Sequence, residues 1–254
     1  LGFVVVESTP EACTVEVPSW RHDVSFEADL IEEVARLYNY DNIAVTLPRV
    51  RQSDMVFAPQ ERSVRALRSR LVGLGLTELY NWTFSNEDDV KPAGLEDAFL
   101  EMVALENPLS ERLATMRSSL LPGLLAAVAH NVHHGSPDMA AFEIGPVYVP
   151  VADQELPFEP LRLGVALYGL REPAHWDRPG DRVDFFDLKG YAEAVLALLG
   201  AEQAAFELTD YGTFQKGQSA TVLLDGQSVG RMGKVGRAVQ KAYDGERKIA
   251  WTQL

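Results

Sequence analysis

The segment between Val17 and Pro48 limits the possible folds most, because it combines an apolar helical stripe with a dense set of acids. Its apolar residues recur at spacings of four and three, as on one face of a helix with 3.6 residues per turn: Leu30, Val34 and Leu37. The pattern predicts a helix from Asp29 to Tyr38. Asn39 can end it, because asparagine tolerates the left-handed conformation found after helices.

Four carboxylates lie within eleven residues of this segment: Asp23, Asp29, Glu32 and Glu33. The last three occupy positions i, i+3 and i+4, so their side chains project from one polar face of the helix. One interpretation is a solvated acidic face, since acids in a first helical turn are stabilised by the helix dipole. The other is a site for a hard cation such as Mg2+, which prefers oxygen ligands. The residues alone leave both open.

The order of residues here resembles a known family. The pattern P-S-W-R-x-D at residues 18–23, D-L-I-E-E-V-A-R-L-Y at residues 29–38, and the later Tyr40, Asp41 and Pro48 resemble the beta subunit of bacterial phenylalanyl-tRNA synthetase. In that family these acids bind a Mg2+ shared with the alpha subunit. The resemblance therefore implies metal ligands at Asp23, Asp29, Glu32 and Glu33.

A second signature is similar to the same family: N-P-L-S at residues 107–110, M-R-S-S-L-L-P-G-L-L at residues 116–125, and F-E-I-G at residues 142–145. The residue types after Arg117 predict a helix with Ser118 or Ser119 as N-cap, Pro122 in the first turn and Gly135 after the end. In an active class II enzyme, an arginine in the comparable hairpin contacts ATP. Arg117 has no acidic residue beside it in the sequence, so we predict a structural role for it.

These features predict an α+β fold: a class II aminoacyl-tRNA synthetase-like antiparallel sheet flanked by helices, preceded by part of a small α/β metal-site module. Alternating apolar runs at residues 3–7 and 13–17 predict two strands in the module. The proline-bearing stretch after residue 47 suggests a boundary, giving a module at residues 1–48 and a non-catalytic core domain at residues 49–254.

Later in the chain, residues 142–151 and 162–168 predict strands. Asp187 is the predicted cap of a helix that runs to Leu199. Asp225 and Gly226 predict the turn of a hairpin, because both residues accept positive φ angles.

Three histidines lie in the last turns of the helix that follows Arg117: His130, His133 and His134. The i, i+4 spacing of His130 and His134 is the one that zinc-binding helices use. No cysteine or evident third ligand accompanies them, and histidines near a helix C-terminus also complement the helix dipole. Their role is left open.

The net charge and the cysteine content indicate which partners the chain can bind and in which cell compartment it is expected. The net charge of −14 disfavours a broad nucleic-acid surface, because such affinity rests largely on lysine and arginine neutralising phosphates. Any contact with tRNA is then expected mostly through modules of the family that this chain lacks, and we expect the chain to be a fragment of the subunit. The single cysteine, Cys13, suits a reducing cytoplasm, and no apolar run predicts a membrane span.

The resemblance implies a beta-subunit piece of phenylalanine tRNA ligase, a non-catalytic scaffold that docks the alpha subunit within an alpha2beta2 heterotetramer. That complex uses ATP to join phenylalanine to its tRNA. We predict no catalytic and no cofactor-binding residue in this chain, with Mg2+ as the only cofactor. Two alternatives are a stand-alone Mg2+-dependent hydrolase acting through the four acids, and an active adenylate-forming enzyme that retains the class II fold.

Overall fold

The computed structural model describes residues 1–49, 57–95, 99–244 and 252–253. The chain divides into two compact units, Leu1–Val56 and Phe57–Leu254. In the described part, no helix combines the length and apolar character needed to cross a membrane.

The first unit contains a hairpin and one long helix. Strands β1 (Val4–Ser8) and β2 (Cys13–Glu16) pair antiparallel, as the alternating pattern predicted. Helix α1 (Glu27–Tyr38) starts two residues before the predicted position, because Phe26 is extended and its backbone N–H is bonded by the Asp29 side chain. None of the residues of α1 is buried.

The second unit begins with α2 (Pro59–Gly73), β3 (Thr77–Glu78), β4 (Phe84–Ser85), α3 (Glu87–Val90), β5 (Thr115–Met116) and α4 (Leu121–His133). It continues with β6 (Met139–Pro146), β7 (Leu161–Tyr168), α5 (Phe185–Leu198), β8 (Ala205–Leu208), β9 (Phe214–Leu224), β10 (Gln227–Val235), α6 (Arg237–Asp244) and β11 (Thr252–Gln253). In the described residues, seven strands form one sheet in the order β3-β6-β7-β11-β10-β9-β8. Its pairs are antiparallel except β3 with β6, and β4 pairs with β5 separately.

Helices cover both faces of the large sheet, as is shown by successive residues of β7, which belong to two different hydrophobic cores. Val165 and Leu167 belong to a core with residues of α2 and α5, whereas Ala166 belongs to a second core with α4. Because successive side chains of a strand point to opposite faces, the two cores lie on the two sides of the sheet. This is the predicted sheet flanked by helices.

The predicted strands are present, but their first and last residues differ from the predicted ones. The hairpin of β9 and β10 turns at Asp225 and Gly226, whose φ angles are 50° and 78°. Strand β6 ends at Pro146 rather than Val151, and beyond it Val149 pairs with Phe158 only as an isolated bridge. Near the end of the chain, the described residues 252–253 form the short strand β11, which pairs with β7 and β10.

For two helices, the N-cap is a different residue from the predicted one. The N-cap of α4 is Leu120, although the Ser119 hydroxyl still accepts a hydrogen bond from the Leu121 N–H at 3.2 Å. The N-cap of α5 is Asp184, which accepts from the N–H groups of Phe186 and Asp187. Asp187 lies three positions inside the helix and bonds back to the Asp184 N–H, since the two aspartates form a reciprocal capping box.

Candidate functional site

The acids of the first unit are organised around Arg21. Its guanidinium makes a bidentate contact with Asp23, with Nε at 2.9 Å from Oδ1 and Nη2 at 2.7 Å from Oδ2. The same group reaches Glu33 on α1, with Nη2 at 2.9 Å from Oε1. Arg36 approaches the other Glu33 oxygen from within the helix at 2.9 Å. Two of the four predicted metal ligands are therefore joined through one arginine.

These contacts change the acidity of both carboxylates. Hydrogen bonding by Arg21 lowers the pKa of Asp23 from 3.8 to about 2. Hydrogen bonds from Arg21 and Arg36 lower the pKa of Glu33 from 4.5 to about 2. Both side chains are therefore ionised at neutral pH, and each already has a cationic partner.

Asp29 and Glu32 are placed differently. One oxygen of Asp29 accepts hydrogen bonds from the backbone N–H groups of Ser25 and Phe26, at 2.8 and 3.1 Å. That carboxylate thus serves the start of α1, where unpaired N–H groups need acceptors. Glu32 is exposed on the next turn of the helix.

The four acids match magnesium in chemistry but not in arrangement. Carboxylate oxygens are the ligands that Mg2+ prefers. In the described part of the chain, however, no three histidine, cysteine, aspartate or glutamate side chains form a group that could hold a metal. Asp23 and Glu33 are engaged by arginine, and Asp29 by the helix start. The residues as placed do not fit a magnesium cage, and the four-acid site stays a prediction from the resemblance.

A second polar cluster lies inside the second unit. Arg117, only 6% exposed, follows β5 and pairs with Glu143 of β6, which is 2% exposed. The Arg117 Nη1 to Glu143 Oε1 distance is 2.5 Å, and Arg117 Nε donates to the Pro146 carbonyl at 2.9 Å. The second Glu143 oxygen accepts from the Asn81 side-chain amide at 2.7 Å. Each charge is thus neutralised and hydrogen-bonded in a buried position.

Gly145 leaves room for this cluster. A Cβ at that position would lie 2.3 Å from Arg117 Nη2, far inside van der Waals contact. The guanidinium therefore packs directly against the backbone of β6. Arg117 directs its Nε and Nη1 donors at Pro146 and Glu143, which agrees with a structural role; that role stays a prediction.

Two surface depressions lie away from both clusters. One is formed by the loop between β7 and α5, and another lies beside α2, at Pro59 and Arg62, and the end of α5. Neither is lined by the four acids or by the buried pair. The predicted histidines lie elsewhere again, with His130, His133 and His134 exposed at the C-terminal end of α4.

Sequence reasoning missed two partners. Glu143 was part of the F-E-I-G signature, but its pairing with Arg117 depends on the position of β6 relative to β5, which no local pattern reveals. Arg21 was part of the P-S-W-R-x-D signature, and an arginine two residues from an aspartate was a signal that could have indicated an ion pair.

Family models and related proteins of known function match nearly the whole chain. Residues 43–254 match a family model described as the phenylalanyl tRNA synthetase beta chain CLM domain, and residues 1–40 match the tRNA synthetase B5 domain. The phenylalanine–tRNA ligase beta subunit of Geobacter sulfurreducens is 36% identical over 257 aligned residues, covering 100% of this chain and 32% of that protein. The corresponding subunit of Listeria monocytogenes is 33% identical, covering 96% of this chain and 30% of that protein. The chain thus spans about a third of the length of these relatives.

Solved structures support the fold. A pyrrolysyl tRNA synthetase from Desulfitobacterium hafniense superposes with a TM-score of 0.58 at 16% identity, covering 77% of this chain and 62% of that one. Another structure of the enzyme from the same organism gives a TM-score of 0.57 at 15% identity, covering 76% of this chain and 64% of that one. At this identity the similarity concerns the fold alone, a mixed α+β architecture of the tRNA synthetase kind.

Proposed function

The chain belongs to the phenylalanyl-tRNA synthetase beta chain family, and from this premise we propose that it is a non-catalytic scaffold within a phenylalanine–tRNA ligase. Its task is to dock the alpha subunit, which carries out the ATP-dependent joining of phenylalanine to tRNA. The complex is an alpha2beta2 heterotetramer in the cytoplasm. Contacts with tRNA are made mainly by other parts of the complex, in keeping with the net charge of −14.

The buried Arg117–Glu143 pair is the observation that supports a non-catalytic role for this chain. Stabilising a transferring phosphoryl group requires cations that are directed at the substrate and free of competing partners. In an active class II enzyme an arginine in the comparable hairpin contacts ATP, whereas the Nε and Nη1 donors of Arg117 are directed inward to Pro146 and Glu143. Releasing it would leave the Glu143 carboxylate buried and unpaired, which is strongly unfavourable.

Two exposed aromatic side chains support the proposal that this chain docks the alpha subunit. Tyr80 is 93% exposed and Trp82 is 77% exposed, two residues apart in the segment between β3 and β4. Asn81, which lies between them, is half-buried and donates to Glu143, whereas both rings face solvent; we call Tyr80 and Trp82 the aromatic patch. Tryptophan and tyrosine dominate the energetic centres of protein interfaces. We assign this patch to contact with the alpha subunit.

The patch also follows a helix that leads directly into a strand, α2 into β3, which resembles the first sequence motif of class II synthetases. In that class this motif forms a subunit interface. The position of Tyr80 and Trp82, directly after β3, is therefore consistent with docking by the alpha subunit.

A stand-alone hydrolase or an active adenylate-forming enzyme finds no support in the described residues. Asp23 and Glu33 are paired with arginines and Asp29 bonds to the start of α1, while Glu32 is exposed; neither surface depression is lined by any of the four. A magnesium site at Asp23, Asp29, Glu32 and Glu33 stays a prediction.

Exchange of radioactive pyrophosphate into ATP tests the non-catalytic role. The assay is run with phenylalanine on three samples: this chain alone, a phenylalanyl-tRNA synthetase alpha subunit alone, and the two mixed. We expect no exchange by this chain alone, and the same result for Arg117→Met. Phenylalanine-dependent exchange by this chain alone, lost in Arg117→Met, would overturn the proposal in favour of an active enzyme.

A further inference from the structure

The two histidines one turn apart at the end of α4 are close neighbours. The rings of His130 and His134 have centroids 4.1 Å apart and planes inclined by 32°. Both residues are exposed, so a solvated ion can reach them without any opening of the fold. The helix holds them in this relation, because residues at i and i+4 project from the same side.

The hydrogen bonding of His134 fixes which of its nitrogens is available. Its Nδ1 lies 2.7 Å from the His130 backbone carbonyl oxygen, which can only accept. Nδ1 therefore carries the proton, and Nε2 of the neutral ring keeps its lone pair. A carbonyl that orients a ligating histidine through its other nitrogen is the usual support of metal-binding imidazoles.

A shared ion would set the distance between the two rings. With metal–nitrogen bonds of about 2.0–2.1 Å, two imidazoles on one ion hold their centroids about 4.5–5.2 Å apart, for bond angles from 90° to tetrahedral. The observed 4.1 Å is shorter, so binding requires the two side chains to rotate apart. The end of a helix also favours a cation, since unpaired carbonyls give it a partial negative charge.

We propose that His130 and His134 form a surface site that chelates one borderline transition-metal ion, such as Zn2+ or Cu2+, with water completing its coordination. Imidazole nitrogens prefer these ions to Mg2+, which favours oxygen. The site is independent of the proposed scaffold role. Because its ligands are one helical turn apart, the bound ion also ties down the last turn of α4.

The test uses the whole chain with Cys13→Ser, which removes the exposed thiol as a competing ligand. Zn2+ affinity is measured by competition with a chromophoric chelator. We expect His130→Gln and His134→Gln each to weaken it about tenfold or more, at least as much as loss of a supporting residue does. His133→Gln is the matched control, because it changes a neighbouring exposed histidine and should leave the affinity unchanged.

A spectroscopic test with Cu2+ needs no substitution at the site, and a thermal test compares the intact site with the His130→Gln form. Electron paramagnetic resonance of bound Cu2+ should show coupling to two imidazole nitrogens. Added Zn2+ should raise the thermal midpoint of the Cys13→Ser protein but not of its His130→Gln form, because an ion that binds only the folded state stabilises it. Equal Zn2+ affinity in the control and both glutamine variants, or coupling to fewer than two imidazoles, would overturn the proposal.

Discussion

Arg117 and Glu143 form an ion pair of 2.5 Å that is almost fully shielded from solvent, although 26 residues separate them in the chain. The pair links the residue after β5 to the middle of β6, and its second carboxylate oxygen also holds Asn81. It therefore joins three segments of the unit that resembles a synthetase core. Its chemistry is that of a structural cross-link.

Removal of one partner should destabilise the protein strongly. We expect Glu143→Ala to cost about 3–5 kcal/mol in the free energy of unfolding, because it leaves the Arg117 charge buried without a counterion. Urea denaturation followed by circular dichroism measures it. The matched variant is the double change Arg117→Met with Glu143→Leu, which removes both charges and should cost much less. Equal losses in the single and double variants would contradict the cross-link.

Gly145 should be intolerant of a methyl group. A Cβ there would lie 2.3 Å from Arg117 Nη2, and this guanidinium cannot move without leaving Glu143. We expect Gly145→Ala to cost about 1–3 kcal/mol, as overpacking of a filled interior does. Gly190→Ala in α5 is the control, since nothing lies within 4 Å of its added Cβ and alanine favours helix. In an Arg117→Met background the cost of Gly145→Ala should shrink.

The Arg21 pairing predicts a definite response to acid. Asp23 and Glu33 have folded-state pKa values lowered to about 2 from 3.8 and 4.5. Because the folded values lie below the unfolded ones, their contribution to stability is present above pH 4.5 and is lost as the pH falls towards 2.

Arg21→Gln should therefore raise both pKa values towards 3.8 and 4.5, which carboxyl carbon NMR titration measures. Arg65→Gln, which removes an arginine paired with Glu61 instead, is the control and should leave Asp23 and Glu33 unchanged. Unaltered titration of both carboxyls in Arg21→Gln would refute the assigned contacts.

The aromatic patch should be an energetic centre for binding the alpha subunit. We expect Trp82→Ala and Tyr80→Ala each to weaken the affinity by about tenfold or more, as loss of an interface anchor does. Trp176→Ala is the control, because this residue is 90% exposed on the loop between β7 and α5. Interferometry with immobilised alpha subunit measures all three. A larger effect at Trp176 than at Trp82 would move the interface to that loop.

Sequence alone predicted the elements that depend on local patterns. Helix α1 follows from its apolar spacing, and the β9–β10 hairpin follows from Asp225 and Gly226, which accept positive φ. The cap of α5 was misplaced because Asp184 and Asp187 both suit a helix start, and only the backbone decides which one lies outside it.

The sites were less predictable, because their geometry depends on contacts between distant residues. The partner of Arg117 is set by the arrangement of β5 and β6, and local composition around Arg117 therefore indicated no acid at all. The four acids were recognised as a group, but the contact of Arg21 with Glu33 depends on how the chain turns into α1. The family resemblance identified residues, while their contacts came from the fold.

The most direct test of the scaffold role is the mass of the particle that this chain forms with a separately made phenylalanyl-tRNA synthetase alpha subunit, measured by light scattering after size-exclusion chromatography. We expect one particle heavier than either component, containing both chains in equal number, and a smaller fraction of it when Trp82→Ala replaces the native chain. Two particles with the masses of the separate components would contradict it.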